Sequence, residues 1–172
     1  MRAIPLTVTA LAAALLLTAC NDGSSDKSGA KDGSACRLGG VSLEVGSASV
    51  APAAGDTGEV PVSITNHSTP CTLDHFPGVT LVQKDVSAKL SAQKEAKAQK
   101  LKLAKGDSAT FTISYVRGRT GDATSLAATQ MRIALPGDDT TQNFPWKFGP
   151  IAGQGAQGKP NATVSAFQQV GD

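Results

Sequence analysis

Aromatic side chains, histidine and cysteine are scarce in this 172-residue chain: five Phe, one Tyr, one Trp, two His and three Cys. Each shortage closes off a class of function. With His67 and His75 as the only histidines and no Cys-x-x-Cys, none of the usual zinc spacings can be written. His67, Asp74 and His75 come nearest to a ligand set, and their spacing matches no standard metal pattern. No Gly-x-Ser-x-Gly elbow occurs, and the serines are too numerous to single out a nucleophile. Gly118-Arg119-Thr120-Gly121 and Gly153-Gln154-Gly155 are glycine-rich without a phosphate-loop pattern and read as loops. The sequence therefore points to no catalytic residue, no metal and no cofactor, and a non-enzymatic role is expected. Charge of one sign is also lacking: the formal net charge is +2. The apolar run from Ile4 to Leu17 falls short of the roughly 20 residues that a membrane-spanning helix needs.

That run does have the length of a secretory signal core. Arg2 precedes it, and Leu17-Thr18-Ala19-Cys20 closes it. A positive start, an apolar core, a small residue and a cysteine, in that order, describe a bacterial lipoprotein signal. Residues 1–19 are thus expected to be removed and Cys20 to carry acyl chains. Two chains matter, because one binds a membrane only marginally, at about 0.8 kcal/mol per buried methylene. Residues 20–35 follow with Gly, Ser and balanced charge and almost nothing to bury, which predicts a flexible linker. As a coil it would hold the next domain roughly 20 Å from the lipid, or about 50 Å when stretched. The expected location is the outer face of the bacterial cytoplasmic membrane, with the membrane itself as the first partner.

Residues 36–172 suit one domain and carry a two-residue period. Val60, Val62 and Ile64 alternate with Glu59, Pro61 and Ser63. The same period runs through Val79 and Leu81, Leu101 and Leu103, Ala109, Phe111, Ile113 and Tyr115, and Met131, Ile133 and Leu135. Val41, Leu43 and Val45 would make the first strand, and Val164 to Phe167 the last. Gly55-Asp56-Thr57-Gly58, Lys105-Gly106-Asp107, Gly121-Asp122 and Pro136-Gly137-Asp138 separate the runs as turns. Short alternating strands at such spacing predict an all-β, antiparallel sandwich. Ala92 to Lys100 is rich in helix formers without a β-branched residue, and reads as a short helix or an exposed loop.

With Cys20 lipidated, Cys36 and Cys71 remain as an even pair in an oxidising compartment, and a disulfide is expected. The alternative, a redox-active or metal-binding pair, has no ligand set beside it. A loop of this size gives about 4 kcal/mol in the chain-entropy model.

Asn66-His67-Ser68-Thr69-Pro70-Cys71-Thr72-Leu73 followed by Phe76-Pro77-Gly78-Val79 resembles the hallmark of an actinobacterial domain of unknown function, the family numbered 4232, common in secreted lipoproteins. Leu103-Ala104-Lys105-Gly106-Asp107-Ser108-Ala109 and Arg132-Ile133-Ala134-Leu135-Pro136-Gly137 fit it more loosely. The chain departs from the pattern at His75, where the family has Gly, and at Lys105, where it has Pro; a second cysteine pair is missing. The resemblance implies an immunoglobulin-like β-sandwich outside the membrane and no catalytic residues. Within the motif, Asn66 is expected to cap a turn and Phe76 to plug the core near the bridge.

Two segments offer themselves for binding. Between Lys84 and Lys105 seven lysines face only Asp85 and Glu95, a local +5 in a chain of +2 overall. Lys94, Lys97, Lys100 and Lys102 are the candidate contacts for anionic lipid headgroups or an anionic wall polymer. The competing reading is a solvated strand edge kept from mispairing by its charge. Nucleic acid is not expected, since this segment has no aromatic residues for bases to stack on. Phe144, Trp146 and Phe148 are the second candidate, because three aromatics within five positions concentrate contact area; their spacing equally suits one core-facing side of a strand. Together these features predict a lipid-anchored, non-catalytic binding module at the cell envelope. An accessory protein for envelope assembly or transport, acting through an envelope protein, and an enzyme with an unrecognised site are the alternatives. Replacing the anchor residue, Cys20→Ala, is expected to move the chain from the membrane pellet to the soluble fraction on cell fractionation; retention in the pellet would remove the anchor.

Overall fold

The computed structural model describes residues 34–51, 53–154 and 159–170. The predicted signal, Cys20 and the linker up to Gly33 lie outside these residues. The described residues form fourteen strands and no helix. In order these are β1 (Val41–Val45), β2 (Thr57–Asn66), β3 (Cys71–Leu73), β4 (Gly78–Gln83), β5 (Val86–Lys89), β6 (Ser91–Ala92) and β7 (Leu101–Leu103). Then come β8 (Ser108–Val116), β9 (Gln130–Ala134), β10 (Gln142–Pro145), β11 (Gly153–Gln154), β12 (Lys159–Pro160), β13 (Ala162–Val164) and β14 (Gln168–Gln169).

The larger sheet runs β1-β2-β8-β13-β6, with β14 also paired to β8, and the second runs β10-β9-β4-β5. In immunoglobulin terms β1, β2 and β8 stand where A, B and E stand, and β10, β9, β4 and β5 where G, F, C and C′ stand. The place of D beside E is taken by β13, a late strand. Two short pairs, β3-β7 and β11-β12, lie outside the main sheets.

The centre of the larger sheet is β2 against β8, in antiparallel register from Thr57↔Val116 to Thr65↔Ser108. Period-two alternation turns Val60, Val62 and Ile64 inward from one strand and Phe111, Ile113 and Tyr115 from the other, all at 0–1% exposure. Val79 and Leu81 from β4 and Met131 and Ile133 from β9 are buried in the same core cluster. Gly58 is opposite Tyr115 on β8. A Cβ on Gly58 would sit 2.6 Å from the Tyr115 ring, so the missing side chain is the space that the ring occupies. The four turns read from the sequence all carry a glycine at positive φ: Gly55, Gly106, Gly121 and Gly137. Thr57 and Gly58, read as part of the first turn, already belong to β2.

Three expectations need correction. The last strand is not Val164 to Phe167. β13 keeps one register with β8 (Val164↔Ile113), whereas β14 keeps another (Gln168↔Thr110), so one extra residue lies between them. Ser165 makes this bulge: its hydroxyl accepts from the Thr112 N–H at 2.9 Å and donates to the Ala166 carbonyl at 2.9 Å. The shift brings Phe167 edge-on to Phe111, with ring centroids 5.9 Å apart. Of the two readings of Ala92–Lys100, the loop holds. Ser91 and Ala92 are captured as β6, and Glu95 has φ +67, which a helix cannot contain. Finally, Phe76 is half-buried and outside the core cluster, while its neighbour Pro77 is buried.

Cys36 and Cys71 form the expected disulfide, with Cα atoms 4.9 Å apart. Around it the start of the domain is laced to β3: the Thr72 N–H donates to the Ser34 carbonyl, and the Cys36 N–H to the Thr72 carbonyl. Next to the bridge, Asn66 occupies the last inward position of β2, so alternation buries a polar side chain completely. Its amide donates to the carbonyls of Thr69 (3.0 Å), Leu103 (3.1 Å) and Ala104 (3.2 Å). Its Oδ1 accepts from the Ser68 N–H at 3.0 Å and hydroxyl at 3.1 Å. Asn66→Ala would strip these partners inside the protein and is expected to cost about 3 kcal/mol in denaturant unfolding. Asn143→Ala, on an exposed residue of β10, should change stability by under about 0.5 kcal/mol.

Candidate functional site

A concavity of about 760 Å³ lies where the chain changes sheets. β5 is the edge of the second sheet and lacks the inward alternation of the other strands; Val86 is 57% exposed. Leu90 then turns into the core, and the chain crosses to pair Ser91 and Ala92 in parallel with Thr163 and Val164 of β13. The Gln93 N–H donates to the Val164 carbonyl, and the Gln93 side-chain amide donates to the Ser114 hydroxyl at 3.2 Å, which fixes the crossing. One wall of the resulting cleft is Val86 to Lys94 and the other is Lys159 to Thr163. Both walls are built largely from Ser, Ala, Pro and Thr, whose small side chains leave a volume of about 760 Å³ between them.

Three of the lining residues are charged, and all three are lysines: Lys89 and Lys94 on one wall and Lys159 on the other. None of the described lining residues is Asp or Glu. Like charges converging on a concave, low-dielectric surface raise its potential and draw in an anion. Ser87, Ser91 and Thr163 also line the cleft, and their hydroxyls are neutral donors suited to anion or sugar oxygens.

Of the lysines singled out in the sequence, Lys94 alone lines this cleft. Lys97 and Lys100 are exposed in the connection after β6, and Lys102 is exposed on β7, opposite Thr72. Lys159 escaped notice because it lies far along the chain from the lysine-rich segment, and only the β13-β6 pairing brings it near. Trp146 is buried at 5% exposure. Its indole N–H donates to the Gly149 carbonyl at 2.7 Å, and its ring stands edge-on to Tyr115 and Phe148 at 5.2 and 4.9 Å. Phe144 and Phe148 are half-buried against the core. With Leu43 and Val45 they border an apolar groove of about 370 Å³ between β1 and β10.

The two histidines have different neighbours. The His67 Nε2 is 2.7 Å from the Ser42 hydroxyl, whereas the His75 Nδ1 faces Asp74 at 3.3 Å. Among the described residues no three His, Cys, Asp or Glu side chains are grouped to hold a metal, and no helix is long and apolar enough to cross a membrane. Two carboxyls are held below their ordinary range. Asp122 accepts from the Thr124 N–H and hydroxyl. Asp138 accepts from the Leu38 N–H at 2.7 Å and from Thr140, and so ties the segment before β1 to the β9-β10 turn.

Fold and cleft together define a β-sandwich module with a cation-lined surface cleft. The chain belongs to the family described as Domain of unknown function (DUF4232), which matches residues 36–168. Neither a curated protein nor a solved structure gives a significant match. His75, at a position where the resemblance implies Gly, sits at φ +64, a conformation that costs a side-chain-bearing residue about 1–2 kcal/mol. Its N–H donates to the Asp74 carboxylate at 2.8 Å, which holds the turn, and its side chain is 79% exposed. His75→Gly is therefore expected to raise stability by about 0.5–1 kcal/mol in thermal or denaturant unfolding, the gain being trimmed by unfolded-state entropy. His75→Ala should give no such gain.

Proposed function

We propose that this domain is a non-catalytic binding module that holds an anionic component of the cell envelope in the cleft between Lys89, Lys94 and Lys159, while a lipid on Cys20 tethers it to the outer face of the cytoplasmic membrane. One observation carries this reading: lysines from two distant parts of the chain meet across a cleft whose described lining has no carboxylate. An accessory role in envelope assembly, through an apolar segment of a protein partner, has the groove beside Phe144 and Phe148 behind it.

The experiment is a binding titration of the full chain in neutral-detergent micelles with fluorescently labelled polyphosphate at low ionic strength. Lys89→Gln/Lys94→Gln/Lys159→Gln is expected to weaken binding by about tenfold or more. Lys97→Gln/Lys100→Gln/Lys102→Gln should weaken it by less than about threefold, because those charges lie outside the cleft. Equal loss in both variants would reduce the lysines to general surface charge. Absence of binding by the unaltered chain would refute the anion-binding reading.

A further inference from the structure

We infer that the cleft is one end of a longer track, continuing across the outer face of the second sheet to Arg132, and that its ligand is an extended polyanion with charges repeated along its length. The inference rests on the reading of the cleft as an anion site.

The track follows from strand register. Asn143 on β10 is paired with Arg132 on β9, Arg132 with Thr80 on β4, and Thr80 with Lys89 on β5. These four residues form one row across the sheet. Their neighbours Val79, Leu81, Met131 and Ile133 are fully buried, so the row lies on the opposite, outward face. Arg132 and Lys89 are both exposed, with Thr80 half-buried between them. Two strand spacings put their Cα atoms about 10 Å apart. Lys89 belongs to this row and also lines the cleft, so it joins Arg132 to Lys94 and Lys159.

The outward positions around this row are also free of acid. Gln130 on β9 and Ser87 on β5 are uncharged, as are Thr80 and Asn143. The nearby carboxylates sit in turns and connections: Asp85 between β4 and β5, Glu95 after Lys94, and Asp138 and Asp139 between β9 and β10. Asp138 is already engaged with Leu38 and Thr140. A strip of four cations with hydroxyl and amide side chains between them is therefore bounded, and not interrupted, by negative charge.

A single phosphate or carboxylate would contact one end of this strip and leave the rest unmatched. A flat anionic membrane would meet exposed side chains at the rims but would not enter a cleft with lysines on both walls. A flexible strand carrying repeated phosphate or carboxylate groups can lie in the cleft and cross the sheet face in one continuous path.

The test measures binding of the full chain in neutral-detergent micelles to labelled polyphosphates of increasing length. Inorganic phosphate serves as the single-anion competitor, and phosphatidylglycerol mixed into the micelles as the headgroup competitor. Affinity is expected to rise with chain length. Arg132→Gln should weaken the longest chain by about threefold or more and lower the salt slope of its binding by about one charge, with Arg132→Lys restoring most of the loss. The shortest chain should be unaffected by Arg132→Gln yet weakened by the triple lysine variant. If Arg132→Gln binds every length as the unaltered chain does while the triple variant fails, the track is wrong and the cleft stands. If inorganic phosphate competes as well as long chains do, the site takes a single anion. Displacement of the polymer by phosphatidylglycerol would assign the surface to headgroups. If no probe binds, both readings fall.

Discussion

Asn66 is the side chain on which the motif end of the domain depends. Strand alternation forces it inward at the end of β2, and a buried amide is tolerable only when its hydrogen-bonding groups find partners. Its side chain binds Thr69 and Ser68 ahead of the disulfide, and Leu103 and Ala104 at the end of β7. Its backbone also donates to Asp107 and accepts from Gly106. One residue thus fixes the loop before Cys71, the end of β7 and the turn into β8. The pair β3-β7 needs this support, because two strands alone are marginal in water and this pair joins neither main sheet. The disulfide holds it from one side and Asn66 from the other, and Leu73, Leu101 and Leu103 can then cap the core.

That support leaves the opposite requirement to the cleft. Its walls use small side chains and bury little, so their position comes from backbone pairing on either side: β5 on β4, β6 on β13, and β13 on β8. Lysines at a sheet edge have a purely structural use, since they discourage edge-to-edge pairing. That use accounts for Lys89 on β5 and for the exposed lysines beyond β6. The same use extends to Lys159, since β12 pairs only with β11, but it gives no reason for a third positive charge to line the cleft opposite the other two. An anionic ligand bridging the walls would turn the repulsion among these charges into attraction, which is why the convergence matters more than the number of lysines.

Much of the scaffold could be read from the chain. Val60, Val62 and Ile64, and Ala109 through Tyr115, announce two long strands by alternation alone, and the turn glycines mark their ends. Cys36 and Cys71 were left as a pair by arithmetic. The bulge at Ser165 was not legible, because a one-residue slip leaves the local apolar pattern intact and shows only in the register against β8. β6 was invisible for a related reason: two polar-to-small residues with helical propensity become a strand only when β13 offers them a partner. The binding candidates divide in the same way. Trp146 has the composition of a contact residue and the position of a core residue, and packing against Tyr115 and Phe148 decides between them. Local charge density singled out Lys94, while the place of Lys159 across the cleft from it required the third dimension.

Membership of the family therefore constrains the fold more than the ligand. Among the residues that carry the resemblance, Asn66 to Leu73 and Phe76 to Val79, Cys71 makes the disulfide, Asn66, Ser68 and Thr69 make the buried amide network, and Gly78 and Val79 start β4. The cleft and the sheet row draw on Lys89, Lys94, Arg132 and Lys159, and of these only Arg132 falls in even the looser part of the pattern. A scaffold whose recognisable residues are spent on holding the sandwich together leaves its surface free to specialise. On this chain the surface we propose as specialised is the cleft whose charged lining residues are Lys89, Lys94 and Lys159.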